Sequence, residues 1–200
     1  MATITAGLVK QLRDKTGAGM MECKAALTEA GGQMDEAVTL LRKRGLAQAA
    51  KRAGRATAQG VIGSYIHLGG RIGVLVEVNC ESDFVARTDD FANLVKELGM
   101  HIAAADPKWV RREHVPADAI EREKAIYRAQ MENSGKPAPV IEKIVEGKLG
   151  SFYAQFALLD QPSIRDPNVT VAQLVAQASA KTGENIQINR FVRFRVGEGE

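Results

Sequence analysis

Apolar residues recur at helical spacing through the first 45 positions. Leu8, Val9 and Leu12 share one face of a segment that Thr5 or Ala6 opens and Gly17 ends. A second segment runs from about Met20 to Ala30 and stops at Gly31-Gly32. A third runs from about Met34 to Arg44, carries Val38, Leu40 and Leu41, and is expected to stop at Gly45. Helices this short take their stability from packing their apolar faces together, so the three predict a small bundle over 1–45. Residues 46–60 are rich in Ala, Lys and Arg and read as a helical, basic connector. The remainder, 61–200, reads as the core.

The period then changes. Val61–His67 and Ile72–Val78 flank Leu68-Gly69-Gly70-Arg71, whose glycine pair supplies the positive-φ positions of a tight turn, so a β-hairpin is expected. From Asp90 the spacing is helical again through Phe91, Leu94, Val95, Leu98, Ile102 and Ala103, and it ends before Asp106-Pro107. Two amphipathic segments, about 117–132 and 138–151, meet across Asn133-Ser134-Gly135-Lys136-Pro137 and predict a helical hairpin over 117–151, projecting because its other face is charged. Thr170 is placed to cap a helix containing Val171, Leu174, Val175 and Ala178, which stops at Gly183. The last stretch alternates. Ile186, Ile188, Val192, Phe194 and Val196 are expected to point inward, and Gln187, Asn189, Arg193 and Arg195 outward, with Phe191 the exception. Three strands in one antiparallel sheet, covered by helices, give an α+β fold.

Composition narrows the function. The net charge of the 200 residues is +3, with 45% hydrophobic and 26% charged residues, which is ordinary for a globular protein and weak for a polyelectrolyte binder. The basic residues cluster locally at Arg42, Lys43, Arg44, Lys51, Arg52 and Arg55. Cys23 and Cys80 have no metal-ligand spacing and read as reduced thiols. The start of the chain lacks the features of a signal peptide, and no apolar run is long enough for a membrane span. His67, His101 and His114 are dispersed, no nucleophile–base pair can be argued from spacing, and Gly69-Gly70 is a turn without the Lys-Ser or Lys-Thr of a phosphate loop. No cofactor, metal site or catalytic centre is expected. The chain reads as one that acts by binding.

The binding element is expected at Asn79-Cys80-Glu81-Ser82-Asp83-Phe84-Val85-Ala86-Arg87, directly after the second strand. Ser82 or Asp83 is placed to cap a following helix. An Asp-Phe pair in this position is commonly a cap and a core ring. Here a carboxylate and a phenyl ring on a strand-to-helix corner also suit insertion into another molecule.

Three long motifs carry a resemblance. They are Leu12-Arg13-Asp14-Lys15-Thr16-Gly17-Ala18-Gly19-Met20-Met21-Glu22-Cys23-Lys24-Ala25-Ala26-Leu27, then Glu77-Val78-Asn79-Cys80-Glu81-Ser82-Asp83-Phe84-Val85-Ala86, then Phe191-Val192-Arg193-Phe194-Arg195-Val196-Gly197-Glu198-Gly199. With them the whole chain resembles the bacterial elongation factor Ts family, guanine-nucleotide exchange factors of elongation factor Tu. Ser82 stands where many members have Thr, a change between two capping residues. The chain is similar to the short form, with one sheet's worth of strands where long members have two related subdomains. Gly63-Ser64-Tyr65-Ile66-His67 looks like the second of those, and Asp83-Phe84 like the first.

The resemblance implies a UBA-like N-terminal module, a cytoplasmic protein of translation elongation, elongation factor Tu as partner, and a homodimer that supplies both surfaces. It implies that Ser82, Asp83, Phe84 and Val85 dislodge the partner's Mg²⁺, with Phe84 as a wedge and Asp83 disturbing the polar network around the ion. Leu12, Met20, Met21 and Lys24 would face the partner's nucleotide domain, and His67 would support the phosphate-loop side. Met serves cores and contacts alike, and at least one of the two methionines is expected in the bundle core. No membrane and no direct nucleic acid contact are expected. Two alternatives stand beside this reading: a translation-linked RNA-binding module using Arg42 to Arg55, and a dimeric scaffold without exchange activity.

Overall fold

The computed structural model describes residues 3–132 and 134–198. Asn133, first in the expected hairpin turn, and Gly199, last in the third motif, lie outside the described residues. Those residues form helices α1 (Ala6–Thr16), α2 (Met20–Glu29) and α3 (Met34–Arg52), strands β1 (Gln59–Ile66) and β2 (Ile72–Cys80), helices α4 (Asp83–Ala86), α5 (Asp89–Ala105), α6 (Ala117–Met131), α7 (Ala138–Phe156) and α8 (Val171–Thr182), and strand β3 (Ile186–Arg195). The sheet is antiparallel, in the order β1-β2-β3. The fold is α+β, as expected.

The chain divides into two units. The first comprises Met1–Val61, Val78–Leu94 and Gln173–Gln187. Its α1 begins where the Thr5 hydroxyl accepts the Leu8 amide at 3.2 Å. It ends at Gly17, whose φ of 70° closes the helix in the left-handed region. Val9, Leu12, Cys23, Ala26, Leu27, Ala30 and Ala37 are buried together, with Leu8, Val38, Leu40 and Leu41 packed on them. Small alanines let the three helices approach closely.

Helix α3 does not stop at Gly45; it continues to Arg52. Glycine costs a helix interior about 1 kcal/mol relative to alanine. The site explains the choice: a Cβ on Gly45 would lie 3.1 Å from the Ala180 Cβ of α8. The glycine trades helix propensity for a close crossing, and packing carries the helix through it.

The second unit comprises Ile62–Glu77, Val95–Ala172 and Ile188–Glu200. The β1–β2 hairpin is closed by the His67 amide donating to the Ile72 carbonyl at 2.9 Å, with positive φ at Gly69 and Gly70. This pairing sets Tyr65 beside Val74 and Gly63 beside Val76, on the face that α5 covers. A Cβ on Gly63 would come within 2.1 Å of Val95 Cγ1, so glycine is required there for α5 to sit down on the sheet. Helices α6 and α7 are joined side by side: Arg128 binds the Glu142 carboxylate with Nε at 2.8 Å and Nη2 at 3.1 Å. Lys148 lies 5.1 Å from the centre of the Tyr127 ring. Burial and the nearby Glu123 carboxylate push the Tyr127 hydroxyl up to about 12. Helix α7 runs past the expected end at Ser151 to Phe156, because the Phe152 ring packs against both Trp109 and Phe156.

His101 is buried in this unit. Its Nε2 lies 2.9 Å from Gln161 Oε1, and the Gln161 amide nitrogen is committed as a donor to the Ala105 and Gln155 carbonyls. Gln161 Oε1 must therefore accept, which puts the His101 proton on Nε2 and leaves buried Nδ1 without a partner among the described residues. Burial pushes the imidazole below its ordinary value.

Strand β3 departs from simple alternation. Ile186 and Ile188 are buried, then two exposed residues, Asn189 and Arg190, follow in succession, and the more buried positions become Phe191 and Arg193. Asn189 Nδ2 and Arg190 Nε both reach the Glu77 carboxylate, at 2.8 Å and 2.7 Å. Two successive residues opposite one is the pattern of a β-bulge, and it flips every later side chain. Val192, Phe194 and Val196, expected to point inward, are consequently exposed at 40%, 66% and 60%.

Candidate functional site

The expected binding corner lies in the first unit. Strand β2 ends at Cys80, and α4 starts at Asp83. Ser82 is the N-cap: its backbone is extended, and its hydroxyl accepts the Val85 amide at 3.4 Å. Val85 turns inward and is buried, so it anchors the corner from beneath and presents no surface. Phe84 does the opposite. Its ring is 77% exposed, unlike a core phenylalanine such as Phe91, which is fully buried. Asp83 is exposed and binds Arg87 one helical turn on at 2.8 Å. Such an exposed pair adds little to stability and leaves the carboxylate available to a stronger partner.

The corner is tied down from behind. Glu184, in the step between α8 and β3, accepts the Glu81 amide at 3.1 Å and the Ser82 amide at 3.0 Å through Oε2, and the Ser82 hydroxyl at 2.6 Å through Oε1. In return the Glu81 carboxylate accepts the Asn185 amide at 2.6 Å. The Asn185 side chain donates to the carbonyls of Ala53 at 3.3 Å and Arg55 at 2.8 Å, just beyond the end of α3. Cys80 sits under this clasp and donates to the Ser82 carbonyl at 3.1 Å. Burial, reinforced by the Glu184 charge, pushes its thiol up, so Cys80 is a neutral thiol.

The helical module of the same unit carries the other expected contacts. Met20 and Met21 are 50% and 75% exposed, so neither fills the core as expected of at least one; Leu27, Cys23 and Leu12 occupy that space. They open α2, where Glu22 Oε2 accepts the Gly19 amide at 3.2 Å and fixes the first turn. Lys24 is exposed and shares their helical face. Leu12 is fully buried, facing the other two helices, and has no surface to offer. Met20, Met21 and Lys24 therefore form the exposed set.

His67 belongs to the second unit. It is exposed, at the end of β1, with its Nδ1 3.1 Å from the Tyr65 hydroxyl. The two rings are 6.1 Å apart, so Tyr65 orients the imidazole.

The four arginines of the basic cluster make contacts within the chain. Arg42 donates to Gln173 at 3.0 Å, Arg44 pairs with Glu29, Arg52 reaches the Ser179 carbonyl at 3.5 Å, and Arg55 reaches Glu81 at 3.5 Å. Among the described residues no group of three or more His, Cys, Asp or Glu is arranged to hold a metal ion, and no helix is long and apolar enough to cross a membrane. What the sequence reading missed is Glu184, Asn185 and the partner role of Glu81. Their only local mark is polarity between Gly183 and a strand, which any turn shares.

The model of the family described as Elongation factor TS matches residues 3–198. A relative named Elongation factor Ts from Fervidobacterium nodosum is 60% identical over 195 residues, covering 98% of this chain and 99% of its own length. Another of that name, from Solibacter usitatus, is 58% identical over 200 residues, covering 100% of this chain and 94% of its own. A third, from Heliobacterium modesticaldum, is 57% identical over 196 residues, covering 98% and 91%.

Proposed function

The chain belongs to the elongation factor Ts family, and on that premise we propose that it is the exchange factor that binds elongation factor Tu·GDP, disturbs the Mg²⁺ and phosphate site, and promotes GDP release so that GTP can bind. The observation that carries this reading is the exposed Phe84 ring on a capped corner held from behind by Glu184. An apolar ring left in water by its own fold gains most by burial in another molecule. Phe84 wedges between helices of the partner's nucleotide domain. Asp83 exchanges Arg87 for the polar groups around the ion. Mg²⁺ demands near-ideal octahedral geometry, so small displacements of its ligands weaken it. With less neutralisation the phosphates leave faster. No covalent chemistry is involved.

Met20, Met21 and Lys24 supply a second contact with the nucleotide domain, and His67, oriented by Tyr65, supports the phosphate-loop side. Linkage sets the thermodynamics: a factor that lowers nucleotide affinity is itself bound less tightly by the same ratio when nucleotide is present, so GTP releases it. The protein works in the cytoplasm, where elongation occurs.

It acts as a homodimer. The support is one face of the sheet in the second unit. Ile62, Ile66, Leu75, Val192 and Phe194 are all exposed there. The His67–Ile72 and Arg71–Val196 pairings bring Ile66 and Phe194 to either side of Gly73, and set Leu75 beside Val192. A continuous apolar sheet face of this kind suits a second copy of itself. The internal hydrogen bonds of Arg42, Arg44, Arg52 and Arg55 argue against the RNA-binding alternative.

The test is release of fluorescent GDP from elongation factor Tu at fixed Mg²⁺ and rising concentration of this protein. The expected result is a rate that rises to a plateau. No acceleration by folded protein would leave the scaffold alternative.

A further inference from the structure

We propose that Glu184 is a positioning residue for exchange, its carboxylate holding the Asp83–Phe84 corner in the orientation the wedge requires. The inference rests on the reading that this corner enters the partner. The exposed Phe84 ring has little packing of its own to aim it. Its direction is set by the backbone that leads into α4, and at positions 81 and 82 that backbone is held by Glu184 through both amides. The third contact works through the cap. The Ser82 hydroxyl donates to Glu184 Oε1 at 2.6 Å, and this leaves its lone pairs turned to the Val85 amide. Removing the carboxylate therefore frees the two peptides and the cap together.

The clasp also has a reverse half. Asn185 is bound by Glu81 and in turn holds the Ala53 and Arg55 carbonyls, so the corner's base is referenced to the chain leaving α3. The chemistry calls for a carboxylate. Three donors converge on its two oxygens, and Glu184 is the acceptor in each of the three contacts. Glutamine can accept the two amides with its one oxygen, but its NH₂ can only donate, so the Ser82 hydroxyl must turn its own hydrogen away and accept from the NH₂ as well as from the Val85 amide, which changes the cap. The predicted order of function is Glu, then Gln, then Ala.

The assay is GDP release at saturating and sub-saturating factor for wild type, Glu184→Gln, Glu184→Ala and Phe84→Ala, with a thermal melt of each. A mispositioned wedge lowers the plateau, because the bound complex reacts more slowly. A merely structural role lowers the folded fraction, which raises the half-saturating concentration and leaves the plateau alone. The expected result is a plateau reduced about tenfold in Glu184→Ala and about threefold in Glu184→Gln, with half-saturation within about twofold of wild type. Should Glu184→Ala fail to fold, the Glu184→Gln plateau decides. Wild-type plateaus in the folded Glu184 variants, with Phe84→Ala reduced, would overturn the role of Glu184 alone. A wild-type plateau in Phe84→Ala would overturn the wedge reading, and this inference with it.

Discussion

Replacing Phe84 by alanine separates a ring that works outside its own fold from one that stabilises it. The ring is 77% exposed, so about a quarter of its surface is covered by its own chain. A phenylalanine buries about 200 Å² when fully covered, so roughly 50 Å² is at stake here, worth about 1.2 kcal/mol at about 25 cal/mol per Å² and less once the retained Cβ is counted. At about 2–4 °C per kcal/mol for a chain of this size, the melting temperature of Phe84→Ala should fall by no more than about 4 °C. The remaining area, about 150 Å², is available to the partner and corresponds to an upper value of about 4 kcal/mol. If only half of that is realised in the complex from which GDP departs, release slows about 30-fold, at about 1.4 kcal/mol per factor of ten. The measurements are fluorescent GDP release and a far-ultraviolet circular dichroism melt on the same samples. A fall in melting temperature beyond about 8 °C with proportionate loss of activity would identify a core ring. An unchanged release rate would refute the wedge.

Three further outcomes test other parts of the structure. His101 titrates at 6.5 when unfolded and lower when folded, with Gln161 and Glu97 as its polar neighbours; as pH falls below 6.5 the unfolded chain takes up a proton that the native one refuses, so stability is lost on acidification, and His101→Gln should flatten the melting-temperature profile below that pH. Gly63→Ala puts a Cβ within 2.1 Å of Val95 Cγ1 and should cost about 1–3 kcal/mol; pairing it with Val95→Ala should cost less than the sum of the two single changes, and strict additivity in the melts would contradict the contact. Phe194→Glu places a charge in the exposed sheet face that we propose as the dimer interface, and sedimentation equilibrium should read a monomer mass for it and a dimer mass for the unaltered chain; a dimer in both would put the interface elsewhere, and a monomer in both would refute the homodimer.

Much of the fold is set by local chemistry and could be read from residue order. The Thr5 cap, the left-handed Gly17 stop, the Gly69-Gly70 turn and the break before Asp106-Pro107 each act within a few residues of themselves. For the same reason the Ser82 cap and the strand-to-helix corner were legible, and so was the family. What depended on residues distant in sequence was not. Gly45 reads as a stop because glycine is a poor helix former, and only the approach of Ala180 reveals why the helix passes through it. Met20 and Leu12 are both apolar residues at helical spacing; which one faces water was decided by where the other two helices lie. One extra residue at Asn189–Arg190 reversed the end of β3 and exposed Phe194, and strict alternation has no way to register an insertion. The clasp on the Asp83–Phe84 corner joins Ser82 to a residue 102 positions away. Hydrogen bonds depend on distance in space, and sequence order reports distance only over a turn or two of chain. The sequence alone therefore determined which segments form and which surface chemistry they carry, and the tertiary structure decided which side chains are free to act and what holds them in place.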